Sequence, residues 1–255
     1  MSDEVRINPI DGAEMVWIPA GAFCMGSSEV DITAVMQQHP DWDARWFAQE
    51  RPQRQVEVPG FWMYRHPVTV AQFRAYCEAT GAPMPAEPAW GWVDDHPIVN
   101  MSWEDARHYA EWAGAALPTE AQWEKAARGD DGRWWPWGKR WDPDRCVNAG
   151  NATSTRPVGS CPEGASPYGV LDMAGNVWEW CIASPLGEYA LQPARNPQRR
   201  PVTPSGRVLR GGSWLSAFGA YHRCAYRCFE CDQQRGYASY HRPHCGFRCI
   251  VAEPS

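Results

Sequence analysis

Apolar positions recur at helical spacing in three short stretches, each opened by a hydroxyl residue and closed by a glycine. Thr69 and Gln72 make a capping-box pattern, Phe73, Tyr76 and Cys77 follow at helical spacing, and Gly81 stands where a C-terminal glycine is wanted, so a helix is predicted over 70–80. Ser102 opens a second, with Ala106, Tyr109, Ala110 and Ala113 on one face and Gly114 after it, predicted over 103–113. Thr119 and Gln122 repeat the capping box, Trp123, Ala126 and Ala127 form the apolar stripe, and Gly129 closes a helix predicted over 120–128. Strand patterns are shorter and fall at 15–26, 55–64, 207–214 and 246–252. Residues 130–206 follow neither period, yet they carry Trp134, Trp135, Trp137, Trp141, Trp178 and Trp180, so a packed, ordered loop region is predicted there.

Composition explains why the regular elements are so short. The chain holds 16 Trp, 22 Gly and 23 Pro in 255 residues, so turns are frequent and indole rings supply the buried area that short elements cannot. The length suits one domain spanning 1–255. A net charge of −6 disfavours nucleic acid as a partner, because a phosphate-backbone binder needs a basic face. Of the 24 cations only Lys125 and Lys139 are lysines, an imbalance that a GC-rich genome or heat adaptation would give. The start, MSDEVRINPI, lacks a basic stretch followed by an apolar one, and no run of about 18 apolar residues occurs; a cytoplasmic protein without membrane insertion is expected. In such a chain the ten cysteines are expected as free thiols, although five of them, Cys224, Cys228, Cys231, Cys245 and Cys249, crowd the C-terminus. Cys228 and Cys231 form a C-x-x-C pair that, with Cys245 and His241 or His244, offers an alternative zinc site, and a disulfide among them is a further alternative.

The phrases MVWIPAGAFCMGS, HPVTVAQFRAYCEATG, HPIVNMSWEDARHYAEWAG, LPTEAQWEKAARG, WPWG, PYGVLDMAGNVWEWC, RVLRGGSW and GFRC occur in this order along the chain. In that order they resemble the formylglycine-generating enzyme, or sulfatase-modifying factor, family. The resemblance runs from about Met15 to Ala252 and implies an α+β, C-type lectin-like fold with much irregular structure. It does not by itself imply an activity, since this fold carries several. Members that make formylglycine hold a cuprous ion with two cysteines just past the GGS motif, a pair suited to a soft metal. Here the run reads GGSWLSAFGAYHRCAYR, with Ser216 at the first position and Ala220 or Tyr221 near the second. A copper-dependent oxidase, or a divergent relative using Cys224 or Cys228, is therefore the alternative rather than the leading expectation. An iron-dependent branch draws its ligands from an added helical domain with a His-rich motif, whereas His39, His66, His96 and His108 are scattered here. The resemblance also implies a structural calcium at Asn176 and Glu179; a second calcium site is expected to be lost, because NAGNATSTRPVGS lacks the Asp-Gly segment that would follow Asn148.

A third branch comprises the variable proteins of diversity-generating retroelements, whose variable stretch lies between segments like RGGSW and GFR, here residues 210–248. Randomised AAC-type codons become NNC, which excludes Glu, Lys, Met, Gln and Trp; residues 215–245 carry only Glu230, Gln233 and Gln234 of these types. Leu215, Ser216, Phe218, Tyr221, His222, Cys228, Phe229, Cys231, Tyr237, Ser239, Tyr240, His241 and His244 are all reachable from such codons. Tyr, Phe, His and Ser are what a paratope-like surface uses, since they give contact area at low entropic cost. These thirteen residues are the expected ligand-binding set, no catalytic residue is expected, and the partner is an unidentified ligand of protein type.

Overall fold

The computed structural model describes residues 5–182, 207–228 and 242–253. In chain order the elements are β1 (Val5–Ile7), β2 (Glu14–Ile18), β3 (Gly21–Met25), α1 (Glu29–Gln38), β4 (Arg54–Val58), β5 (Phe61–Tyr64), α2 (Val70–Thr80), α3 (Trp103–Trp112), α4 (Glu120–Arg128), β6 (Trp178–Ile182), β7 (Arg207–Arg210), β8 (Cys245–Gly246) and β9 (Ile250–Ala252). Short 3-10 turns at Ala44–Glu50 and Gly219–His222 bear on the site.

The three predicted helices form where their caps place them. Thr69, Ser102 and Thr119 each accept a hydrogen bond from the backbone N–H three residues on, and the residue there reaches back to complete the box. Helix α1 went unpredicted: Ser28 and Asp31 form the same box as Ser102 and Asp105, but only Ile32 and Val35 are buried, too few to draw a stripe.

Two predicted strands divide. The 15–26 stretch breaks at Pro19-Ala20 and the 55–64 stretch at Pro59-Gly60, so β2 and β5 pair in one sheet while β3 and β4 pair in another. Proline lacks the N–H that a ladder needs, which makes each break local and sharp. The first sheet has the order β1-β2-β5-β9, antiparallel throughout. A third sheet, β7-β6-β8, joins β6 antiparallel to β7 and parallel to β8. Strand β6 corrects the expectation that 130–206 holds no strand: four of its five residues are buried, so the alternation that marks a half-exposed strand is missing. In the described part of that region Trp134, Trp135, Trp178 and Trp180 are buried, in keeping with a packed loop.

Residues 207–228 are gripped by all three apolar clusters. Leu209 lies in the cluster where α2 and α3 pack on the first sheet, Val208 and Cys224 lie with Trp123 of α4, and Ala220 lies with Trp42, Phe47, Trp134 and Trp135. No helix among the described residues is long and apolar enough to cross a membrane.

Candidate recognition site

Strand β7 delivers the chain into Gly211 and Gly212, both in the left-handed region at φ 93° and 76°. Glycine is required at Gly212 for a second reason, since an added Cβ would lie 2.8 Å from the His222 ring. The chain then folds into a tight turn: the Ser213 N–H donates to Ser216 Oγ at 3.1 Å, and the Ser216 N–H donates to the Ser213 carbonyl at 2.9 Å. Trp214 hooks the turn to the scaffold through its N–H on the Asn176 carbonyl and its indole N–H on the Pro243 carbonyl, both at 2.9 Å. Leu215 and Phe218, 54% and 40% exposed, project from this frame.

Phe218 and Tyr221 share an aromatic group with Trp46, which comes from the distant 44–50 turn, at centroid separations of 4.9 and 5.4 Å. Tyr221 continues to Tyr226, and Tyr226 to Trp178. Trp46 was not among the expected site residues. Its only sequence signal is a second indole in DWDARWFAQE beyond what the buried Trp42 and Phe47 need, and spacing alone cannot tell which of the two stays half-exposed.

Four buried ion pairs tie the C-terminal part of the chain to the rest. Arg223 donates to both carboxylate oxygens of Glu50 and to Ser27 Oγ. Arg210 reaches Glu124 at 2.6 Å, Arg227 pairs with Glu120, and Arg248 makes a two-point contact with Glu179. All eight residues are buried, and each arginine comes from the C-terminal part of the chain while each glutamate comes from the scaffold. An arginine fork matches a carboxylate in geometry, which explains why arginine and not lysine fills these positions. Five buried arginines, Arg128 being the fifth, thus give part of the arginine excess a structural cause.

Of the expected ligand-binding residues, Phe218 and Tyr221 come together with Trp46 on one aromatic surface, and Leu215 stands exposed in the turn that precedes them. Ser216 and His222 do not join it: both are buried, Ser216 as the acceptor that closes the turn and His222 packed on Trp141 with Nδ1 at 3.1 Å from the Phe218 carbonyl. A small hydroxyl and an imidazole fill the underside of the loop, so their expected role as ligand contacts is corrected to one of loop support. Cys228 lies half-buried with its N–H on the Leu209 carbonyl, and His244 lies half-buried with its carbonyl on the Trp178 N–H. Phe229, Cys231, Tyr237, Ser239, Tyr240 and His241 lie outside the described residues.

Burial lowers the His222 pKa to about 4, and burial likewise brings His66 to about 4. Each is neutral when folded but takes up a proton on unfolding between about 4 and 6.5, so stability from His222 is present above 6.5 and is lost, by ~3 kcal/mol, as pH falls through 4. Asp172 opposes them: burial raises its pKa to about 6, so its contribution is present below about 4 and lost as pH rises through 6. Two groups outweigh one, and the unfolding free energy is expected to rise from pH 4.5 to 6.5, with a shallower rise in His222→Gln. Denaturant titrations across that range check this, and a fall would contradict it.

The metal expectations do not fit the groups present. Glu179 spends both carboxylate oxygens on Arg248 and on the Trp123 indole N–H, and the Asn176 carboxamide is closed at both ends by the Arg156 backbone. A guanidinium on the carboxylate repels a second cation, so the calcium expectation at Asn176 and Glu179 is corrected. No group of three His, Cys, Asp or Glu suited to a metal occurs among the described residues. Eight described cysteines are free thiols, whereas Cys228 is disulfide-bonded, which departs from the all-thiol expectation and withdraws it from the alternative zinc set. Burial pushes the Cys224 thiol to about 12, so it is a poor source of the thiolate that a cuprous ion needs.

The formylglycine-generating enzyme of Mycobacterium tuberculosis is 30% identical to this chain, covering 94% of it and 98% of the enzyme, and that of Thermomonospora curvata is 32% identical over 94% and 93%. Among solved structures, PvdO from Pseudomonas aeruginosa superposes with a TM-score of 0.70 at 23% identity and Treponema denticola variable protein 1 with 0.64 at 18%, each covering 98% of this chain and nearly all of its own. These two establish the fold, the C-type lectin-like arrangement that the ordered phrases implied. With the sulfatase-modifying factor enzyme 1-like domain matched over residues 2–253, the chain belongs to the sulfatase-modifying factor family.

Proposed function

We propose that this chain is a ligand-binding display protein, the variable protein of a diversity-generating retroelement, whose residues 215–245 recognise a protein ligand. One observation carries the reading. The arginines at 210, 223, 227 and 248 are buried on scaffold glutamates, while Leu215 and Phe218, between them in the chain, stand exposed. A surface that must vary needs fixed points set apart from its exposed ones, and the separation of buried arginines from exposed side chains in this segment supports the reading. The exposed side chains are large and apolar, which suits a protein surface better than a sugar or a nucleotide.

Leu215→Asn and Phe218→Tyr, both products of a randomised AAC-type codon, are expected to leave the unfolding free energy within ~0.5 kcal/mol of wild type. Urea titration monitored by Trp fluorescence checks this; a loss of several kcal/mol from either would make these side chains core.

A second reading, the copper-dependent formylglycine-generating oxidase or a divergent relative, is favoured by identities of 30% and 32% over nearly the full length. Its required thiol pair is where the chain departs: Ser216 closes a turn, Cys224 is buried, and Cys228 is in a disulfide. Competition with a cuprous chelator separates the two. Tight copper binding that is lost in Cys224→Ser would support the oxidase, and its absence supports display.

A further inference from the structure

A shallow, largely open depression of about 410 Å³ lies on the 149–156 loop beside residues 213–216, lined by Gly150, Asn151, Thr153, Ser154 and Arg156 together with two alanines, all from that one stretch of chain. Its walls are fixed from below. Asn148, buried, accepts from the Gly150 N–H at 2.9 Å and donates to the Pro143 and Cys146 carbonyls, which pins the first half of the loop. Asn176, fully buried in the left-handed region at φ 61°, receives the Arg156 N–H on its carboxamide oxygen and donates to the Arg156 carbonyl, both at 3.1 Å, which pins the second half. The Ala149 N–H on the Ser216 carbonyl joins the depression to the recognition loop.

The charge in this depression is unbalanced. Arg156 is its one ionisable lining group, and the guanidinium spends Nη2 on the Asn151 carbonyl, a neutral acceptor. No carboxylate among the described residues pairs with it, in contrast to the four buried arginines on scaffold glutamates. The acidic residues of the flanking turns are engaged elsewhere, Asp142 with Arg145 and Asp172 with the Gly159 N–H at 2.7 Å. A half-buried guanidinium with remaining donors, the Thr153 hydroxyl in the same lining, and a loop backbone held in place form a receptor for an oxyanion, while the Ser154 hydroxyl is already spent on the Thr155 carbonyl at 3.1 Å.

We propose that the 149–156 depression binds a single oxyanion group, a carboxylate or a phosphate, with Arg156 supplying the charge. The site goes beyond the display reading and stands whether or not residues 215–245 are diversified. Two sources offer this chemistry, a free inorganic anion and the acidic side chain of a docked protein. In the first arm the full chain is titrated with inorganic phosphate, and in the second with N-acetylglutamate α-amide, whose only carboxylate is the side chain's, using N-acetylglutamine α-amide as the neutral control. Backbone amide shifts of Gly150, Thr153 and Ser154 and the Arg156 Nε–H report binding.

Saturable shifts confined to this loop are expected, weakened about tenfold in Arg156→Gln and partly recovered in Arg156→Lys, which keeps the charge but loses the fork. Tighter phosphate binding assigns the site to a free anion, and tighter binding of N-acetylglutamate α-amide assigns it to an acidic side chain; either result upholds the site. Equal binding of the neutral N-acetylglutamine α-amide, equal binding by Arg156→Gln, or no saturable shift in the wild-type chain overturns it. The last outcome needs no variant, so it decides the matter even if Arg156→Gln fails to fold.

Discussion

Arg223→Ala is expected to lower the unfolding free energy by ~3–5 kcal/mol, because it leaves the Glu50 carboxylate buried without its cation. Both side chains are wholly buried, and the pair is sealed by contacts at 3.0, 3.2 and 2.8 Å and by Ser27 on the guanidinium. The guanidinium also lies 5.3 Å from the ring of Phe47 and 5.6 and 5.8 Å from those of Trp134 and Trp135, so truncation removes packing as well as charge. The double change Arg223→Met with Glu50→Leu should restore much of the loss, since no charge is then left stranded. Arg74→Ala at the exposed Arg74–Asp94 pair is the control and should cost less than ~1 kcal/mol. Denaturant unfolding of the four proteins checks this; a small effect of Arg223→Ala would mean that water reaches Glu50 and that the pair does not anchor the recognition loop.

Trp123→Ala is expected to cost ~3–5 kcal/mol, and by a different mechanism. The ring is fully buried in α4, and its indole N–H donates to Glu179 Oε2 at 2.7 Å. Arg210 stacks over it at 5.2 Å, and an added Cβ at Gly211 would sit 3.1 Å from the same ring. One indole therefore supports a buried carboxylate, a buried guanidinium and the start of the GGS turn. Trp123→Phe keeps most of the volume but strands one Glu179 hydrogen bond, so it should cost less than alanine while remaining above an isosteric core swap. Thermal and denaturant unfolding give the order wild type, Phe, Ala; equal stabilities of Phe and Ala would show that the hydrogen bond, and not the cavity, dominates.

Helices α2, α3 and α4 were legible in the sequence because capping and glycine termination are local chemistry. Strand β6 was not, since a strand buried on both faces carries no alternation, and α1 was not, since two buried residues make no stripe. The buried pairs were hidden for a deeper reason. Glu50 and Arg223 are 173 residues apart, and nothing in either neighbourhood marks one charge as the other's partner. Of the thirteen residues chosen by codon compatibility, Leu215 and Phe218 are exposed, whereas Ser216 and His222 fill the underside of the loop, a difference that residue type alone does not carry. Composition identifies what a position can hold, while burial decides what it does.

The central claim is that residues 215–245 vary on a frame that does not. The measurement that tests it most directly is the sequence of the DNA flanking this gene. The display account predicts a nearby imperfect repeat of the codons for residues 210–248, mismatched at template adenines, beside a reverse transcriptase. The mismatches should fall on the codons of exposed residues such as Leu215 and Phe218, and should spare those of Arg210, Arg223, Arg227 and Arg248. A flank without such a repeat, or a repeat whose mismatches fall on the four arginine codons, would contradict the account.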